Sequence, residues 1–257
     1  MYQSAILVIL GPSFIAGYAT VGSNSGAHME SSIRKNRIVA VCVAVIAVLA
    51  GVLVVNIVSD IRSQLLLKQT YSELKWIALA LHSYHDAHGS FPPVVIRDGQ
   101  GNPIHSWRAI IHGEMAKAVE SAEFKSYNFS QAWDSQANRQ STSGRFRSYR
   151  YQALAVVGPQ AAWKIDGTRS LSDFKDGAAK TILLIAVRNT GTAWHQPVDA
   201  VVSESGNLTV NNRELDHSKD LFIVTADGSI TYAAKGIAPH TMSALLTINA
   251  GDAVAEW

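Results

Sequence analysis

The sequence predicts an α+β protein in which a long N-terminal helix crosses a membrane and continues into a domain with an antiparallel sheet. Three observations predict this class. They are an unbroken apolar run near the start, a helical repeat of apolar residues after it, and short apolar strands separated by turn residues further on. The 257 residues leave room for one sizeable domain beside the apolar segment.

The apolar run is Ile38 to Val58, "IVAVCVAVIAVLAGVLVVNIV", in which only Asn56 is strongly polar. A helix of this length spans about 31 Å, enough to cross the hydrocarbon core of a bilayer. A buried core helix is the alternative, but such helices seldom run this long without a charge. We therefore expect residues 38–58 to form a transmembrane helix.

Basic residues set the expected orientation of this span. Arg34, Lys35 and Arg37 precede it and Asp60 follows it. Because basic residues stay on the cytoplasmic side, the N-terminal side is expected inside and residues 59–257 outside. The sequence thus predicts a single-pass protein of the cell membrane whose C-terminal domain is extracytoplasmic.

Residues 1–37 form the predicted cytoplasmic segment, and two interpretations of its beginning remain open. Residues 4–19 are apolar, but a Gly-Pro pair interrupts them and they lack the basic start of a secretory signal. Met29 opens "MESSIRKNR", a natural start for a protein with a signal anchor. Residues 1–28 are therefore expected to be either an over-extended start or an additional membrane segment.

Ser59 to His88 is expected to continue the helix, ended by Gly89 and the prolines at 92 and 93. Its apolar residues recur at steps of three and four and predict a face that packs on a sheet, with a partner helix as the competing use. These residues are Leu67, Tyr71, Leu74, Ala78 and Leu81, flanked by Ile77.

The remaining chain alternates strands and turns. We expect a hairpin of Val94–Ile96 and Ile104–Trp107, then a helix within 108–121 and a surface loop over Tyr127–Arg145. Strands are expected within 149–157 and 180–188. A hairpin over 221–234 with a type I′ turn at Asp227-Gly228 follows, and a short helix within 239–249.

The stretch "LHSYHDAHGSFPP" raises the question of a metal site at His82, His85 and His88. Steps of three along a helix turn successive side chains about 60° apart, whereas a zinc pair on one helix face uses i, i+4. Capping of the helix end is the favoured interpretation. Asp98 and Asn102 in "DGQGN" could offer oxygen to calcium, but acidic ligands are too few and a turn is favoured. No metal or other cofactor is expected, and these five residues remain weak metal candidates.

Composition and motifs argue against several other classes. The net charge of +2 and the lack of a basic stripe with interleaved aromatics argue against nucleic-acid binding. The sequence has no G-x-S-x-G elbow and no glycine-rich phosphate loop, so no enzyme is expected. The single cysteine, Cys42, lies in the span, so the outer domain lacks disulfides. Four scattered tryptophans indicate core or rim packing, with a carbohydrate platform as the alternative: Trp107, Trp133, Trp163 and Trp194.

Several segments together resemble the domain of unknown function 1559 family, which is common in planctomycete-type bacteria. They are "LKWIALALHSYHDAHGSFPP", "DGQGNPIHSWR", "YNFSQAWDSQANR", "AVVGPQAAW", "DFKDGAAKTILLIAV" and "ADGSITYAAKGIAPHTMSALLTINAGDAV". The resemblance implies a pseudopilin-like domain, similar to the major pseudopilin of type II secretion, with a long helix packed on an antiparallel sheet. It implies no catalytic residues.

The chain also departs from this family. A prepilin start has a Gly-Phe-type cleavage point and an acidic fifth residue in the mature helix, and "RKNRIVAVCVAV" has neither. We therefore expect an uncleaved membrane protein rather than a fibre subunit. "HSKD" at 217–220 replaces a His-Pro-Gly-Gly-like turn, and Ala186 stands where relatives carry an acid.

The predicted function is that of a membrane-anchored, non-catalytic structural or interaction protein of the bacterial cell envelope. The expected partners are the lipid bilayer and other envelope or pilin-like proteins. An envelope binding protein for a saccharide or a metal ion is the alternative, and an envelope hydrolase is a further one.

Overall fold

The computed structural model describes residues 25–118, 127–141, 151–188 and 190–251. Its first element, α1 (Ser25–His88), contains the predicted span and the predicted amphipathic segment in one helix. The chain divides into two compact units, one ending at Ile61 and the other beginning at Arg62. The weaker apolar run at residues 4–19 lies outside the described residues.

Within the first unit, α1 is long and apolar enough to cross a membrane. No residue in the most apolar stretch of this helix is buried, and every residue from 38 to 58 is exposed. A core helix of a soluble protein would bury these side chains, so that alternative is wrong. Arg34, Lys35 and Arg37 are exposed on the same helix, just before the apolar residues.

The second unit adds helices and two sheets to the end of α1. In the described residues, its helices are α2 (Trp107–Ala118), α3 (Gln136–Ser141) and α4 (Pro239–Leu245). Its strands are β1 (Val95–Arg97), β2 (Pro103–Ser106), β3 (Tyr151–Val157), β4 (Ile182–Arg188), β5 (Ala200–Val202), β6 (Leu208–Val210), β7 (Arg213–Glu214), β8 (Leu221–Thr225) and β9 (Ile230–Ala233).

The larger sheet has the order β7-β6-β5-β3-β4-β8-β9, beside a separate β1-β2 hairpin. Its neighbouring strands are antiparallel except for β3 and β5, which are parallel. The central strands β3 and β4 are buried almost throughout because both faces of the sheet are covered, which explains their continuous apolar sequences. The α+β class and the predominantly antiparallel sheet are confirmed.

Alternate residues of the central strands enter two cores. Ala153 and Ala155 of β3 share one core with Leu74, Ile77 and Leu81 of α1. The intervening residues of β3 and β4 share the other core with α4: Leu154, Val156, Ile182, Ile185, Met242 and Leu245. The sheet therefore forms a middle layer, with α1 residues on one face and α4 on the other.

Three predictions about local structure are wrong. Tyr71 is 47% exposed instead of lying on the buried face of α1. The expected surface loop from Tyr127 contains α3 and a fully buried Asn138. At the β8–β9 turn only Gly228 has a positive φ, so the turn is not type I′. The pair of positive φ angles that a type I′ turn needs occurs instead at Asn211 and Asn212, between β6 and β7.

Candidate functional site

A buried ion pair joins α2 to the centre of the sheet. Arg108 lies in the first turn of α2 and is fully buried, and its Nη2 donates to Asp199 Oδ1 at 2.7 Å. The same carboxylate oxygen accepts the N–H of Ala155 at 2.8 Å and Nε1–H of Trp107 at 3.0 Å. Arg108 also donates from Nε and Nη2 to the carbonyl oxygen of Ala153, at 3.0 and 2.7 Å.

This ion pair is closed by protein groups on both sides. Arg108 also approaches the carbonyl oxygens of Gln196, at 3.4 Å, and Val198, at 3.2 Å. Burial lowers the pKa of Arg108 while the Asp199 carboxylate opposes that shift, and the guanidinium stays charged. Because both charges already have several partners, the pair serves to fix the segment before β5 against α2 and β3.

Three buried histidines from different segments meet beside this ion pair: His105 of β2, His112 of α2, and His195 before β5. The ring of Tyr127 lies among them, with centroids 4.4 Å from His195, 5.7 Å from His105 and 6.2 Å from His112. The rings of His112 and His195 are 5.1 Å apart. We call these four residues the histidine cluster.

The hydrogen bonds of His105 define its neutral form. Its Nε2 lies 3.0 Å from the carbonyl oxygen of Phe129, which can only accept, so Nε2 carries the proton. In the neutral ring, Nδ1 then accepts from the hydroxyl of Tyr127 at 2.9 Å. His105 thereby ties β2 to the segment that begins at Tyr127.

Burial keeps His112 and His195 uncharged at neutral pH. Burial lowers the pKa of His112 to about 4. For His195, burial first and then the repulsion of His112, Arg108 and His105 lower the pKa to about 2. Burial also raises the pKa of the Tyr127 hydroxyl.

A separate groove of about 660 Å³ opens at the end of β4 near the start of β8. At its edge, Arg188 Nη2 lies 2.7 Å from Asp220 Oδ2, and the hydroxyl of Tyr151 donates to the same carboxylate. Tyr232 donates to it as well, at 3.2 Å. Among the described residues, those that line the groove are mainly polar or charged, and none of them is a tryptophan. Asp220 is the last residue of the "HSKD" stretch at 217–220.

The three histidines of "LHSYHDAH" contact different parts of the protein. His82 lies edge-on to Phe91, with centroids 5.8 Å apart. His85 Nε2 accepts the backbone N–H of Leu171 at 3.1 Å. His88 Nδ1 lies 2.9 Å from the carbonyl oxygen of Tyr84, one turn earlier in α1, the kind of carbonyl contact expected for a capping histidine.

The other metal candidates form a turn. Asp98 Oδ1 accepts the backbone N–H groups of Gln100 and Asn102, at 2.9 and 2.8 Å, and its Oδ2 accepts the Asn102 side chain at 3.0 Å. These hydrogen bonds to the charged form lower the pKa of Asp98. Across residues 25–118, 127–141, 151–188 and 190–251, no group of three or more His, Cys, Asp or Glu side chains is arranged to hold a metal ion.

The four tryptophans considered for a carbohydrate platform are buried or partly buried, as the core interpretation predicts. Trp107, Trp163 and Trp194 are buried, and Trp133 is partly buried. Trp163 donates through Nε1 to the carbonyl oxygen of Leu183 in β4 at 2.9 Å. Ala186 is fully buried in the core that α1 shares with the sheet.

Sequence reasoning missed the Arg108–Asp199 pair and the histidine cluster. One local signal was present: Arg108 is the only Lys, Arg, Asp or Glu in the mainly apolar and aromatic run "IHSWRAIIH", which indicates burial. Asp199 and His195 have no such signal, since Asp199 is 91 residues from its partner and both follow polar segments.

These features define an α+β protein with a membrane-length apolar helix and a mainly antiparallel, helix-covered sheet. Residues 69–150 match the family described as "Protein of unknown function (DUF1559)". This match confirms the predicted resemblance to the family over residues 69–150. The segments after residue 150 that contributed to the resemblance lie outside the match. No curated protein and no solved structure matches the chain.

Proposed function

We propose that this protein is a single-pass membrane protein whose extracytoplasmic, pseudopilin-like domain has a structural or interaction role in the bacterial cell envelope, without catalysis. The exposed apolar segment Ile38–Val58 carries this proposal. Burial of each Val, Leu or Ile side chain is worth roughly 1.5–3 kcal/mol, so leaving the whole segment in water is strongly unfavourable. A bilayer is the environment that covers all sides of such a helix.

The length of the segment favours an anchor over a cleaved signal. A secretory signal has an apolar region of about 7–15 residues, whereas residues 38–58 are apolar with one strongly polar exception. The basic residues Arg34, Lys35 and Arg37 favour a cytoplasmic N-terminal side. Residues from Ser59 onward then lie outside the membrane.

Two features of the second unit support a non-catalytic role. The His–carboxylate contact found in the described residues is His85 Nδ1 to Asp86 Oδ1, at 3.8 Å between neighbours on α1. The buried Arg108–Asp199 pair already has protein partners on both sides. Neither arrangement provides a base positioned beside a nucleophile.

Membrane fractionation of the full chain tests the proposal. We expect the protein to stay with membranes through washes in concentrated salt and alkaline carbonate, and to be released by detergent. A double variant, Val48→Lys with Leu49→Arg, is the matched test, since each charge at a span centre costs about 2.5–3.5 kcal/mol on insertion. This variant is expected in the soluble or aggregated fraction. Release of the wild-type protein by salt or carbonate alone contradicts the proposal.

The groove beside Arg188 and Asp220 favours one alternative, an envelope protein that binds a small polar ligand such as a saccharide. Its volume lies in the range of about 300–1,000 Å³ that is usual for ligand sites. A glycan array tests this alternative. Binding by the wild-type protein that is lost in Arg188→Met would support it.

A further inference from the structure

We propose that the histidine cluster is an acid-sensitive latch. In this proposal, neutral His112 and His195, together with the hydrogen bonds of His105, hold residues 127–138 and 193–199 against α2 and β2. Protonation of His112 and His195 releases these two segments. The latch is a property of the second unit and does not depend on the proposed membrane location.

The geometry of the cluster makes it a junction between segments. His105 connects β2 to Tyr127 and Phe129 through its two ring nitrogens, at 2.9 and 3.0 Å. His195 packs against both Tyr127 and His112. Much of the junction therefore consists of imidazole rings in contact with aromatic rings, and a charge on His112 or His195 changes several contacts at once.

The charged and titratable groups that act on His195 oppose its protonation. They are the Arg108 cation from α2 and the imidazoles of His112 and His105. The nearby carboxylate of Asp199 is bound to Arg108 at 2.7 Å and to two N–H groups, so it is already engaged. The Tyr127 hydroxyl stays neutral because burial raises its pKa. Both Nδ1 and Nε2 of His195 are buried without a hydrogen-bond partner among the described residues.

The direction of the pH effect follows from these surroundings. In the closed state the pKa of His112 is about 4 and that of His195 about 2, below the ordinary value of about 6.5 that the rings regain when released. The closed state is therefore fully stable above about pH 6.5 and loses stability as the pH falls below that value. Between about pH 7.5 and about pH 5, each such ring multiplies the opening equilibrium by about thirty.

Hydrogen exchange of the full chain in detergent micelles tests the latch. Exchange is measured by mass spectrometry at about pH 7.5 and about pH 5, and corrected for the pH dependence of intrinsic exchange. We expect protection in 127–138 and 193–199 to fall by thirty-fold or more at the lower pH, and protection in β3, β4 and β8 to change far less.

A variant separates the latch from general acid damage. His195→Phe keeps an aromatic ring but removes one titrating group, so its acid-induced loss of protection should be about thirty-fold smaller than in wild type. If this variant does not fold, His112→Phe is used with the same measurement. The control is His240→Asn in α4, an exposed histidine, which should behave as wild type.

Three outcomes would overturn the latch. The first is unchanged protection of 127–138 and 193–199 at about pH 5. The second is a parallel loss in β3, β4 and β8, which indicates global unfolding. The third is a variant without the titrating ring that responds to acid as strongly as wild type does.

Discussion

At the scale of single residues, the Asp199 carboxylate accepts three hydrogen bonds through one buried oxygen atom. It accepts from Arg108, from Trp107 and from the backbone of β3. Asp199→Asn keeps the shape of the side chain but leaves the buried guanidinium without its counter-ion. Loss of one partner of a buried pair costs about 3–5 kcal/mol, and we expect this variant to lose stability in that range.

Urea unfolding of the full chain in mild detergent measures this loss, with the fluorescence of the buried tryptophans as the signal. Asp134→Asn is the matched control because Asp134 is exposed, and it should stay within about 0.5 kcal/mol of wild type. Equal stability of the two variants would show that the ion pair is not a structural brace.

Residue-level predictions from sequence succeeded where the signal is local and failed where it is distant. The carbonyl contact of His88 and the turn formed by Asp98 both depend on residues a few positions away. Asp227-Gly228 matched a type I′ turn in composition, but the pairing of Val224 with Ile230 leaves a longer loop than two residues. The register of the two strands sets the length of the loop and therefore the type of turn, and a dipeptide sequence does not encode that register.

At the scale of elements, α1 offers two neighbouring leucines in opposite environments. Leu81 is fully buried in the core shared with the sheet, whereas Leu79 is 57% exposed. Leu81→Ala should cost about 2–5 kcal/mol through lost apolar burial and a residual cavity. Leu79→Ala, measured in the same urea titration, should cost less than about 0.5 kcal/mol. Equal losses would mean that α1 does not pack on the sheet by this face.

Several of the elements predicted from sequence have a long or repeated apolar pattern: α1, β3, β4 and β8. The β1–β2 hairpin and α4 were predicted from local signals instead, the turn residues of "DGQGN" and the proline at the start of α4. Strands β5, β6 and β7 have two or three residues each, too few to show an alternating pattern. α3 has the polar sequence "QANRQS" and depends on the buried side chain of Asn138, which donates to the carbonyl oxygens of Asn128, Gln131 and Ala132.

At the scale of the whole molecule, the charges around the span should control orientation. Replacing Arg34, Lys35 and Arg37 together with Gln removes the basic residues nearest the proposed cytoplasmic end. We expect a fraction of the molecules to invert, because the basic residues retain that end inside. A C-terminal alkaline phosphatase fusion reports the outer population, and a fluorescent-protein fusion reports the inner one.

Arg62→Gln is the control for this experiment because it removes a basic residue from the opposite end of the span. It should leave the outer population unchanged or increase it. An unchanged distribution in the triple variant would contradict orientation by these charges.

The order of the elements along the chain has a consequence for biogenesis. Leu74, Ile77 and Leu81 belong to the same core as Phe222 of β8, which the ribosome adds roughly 140 residues after Leu81. At roughly 5–20 residues per second, β8 is synthesised about 7–28 seconds after this face of α1. During that interval the apolar face of α1 is exposed and prone to aggregate. A translocation-associated chaperone that shields a nascent amphipathic helix should therefore improve the yield of folded protein.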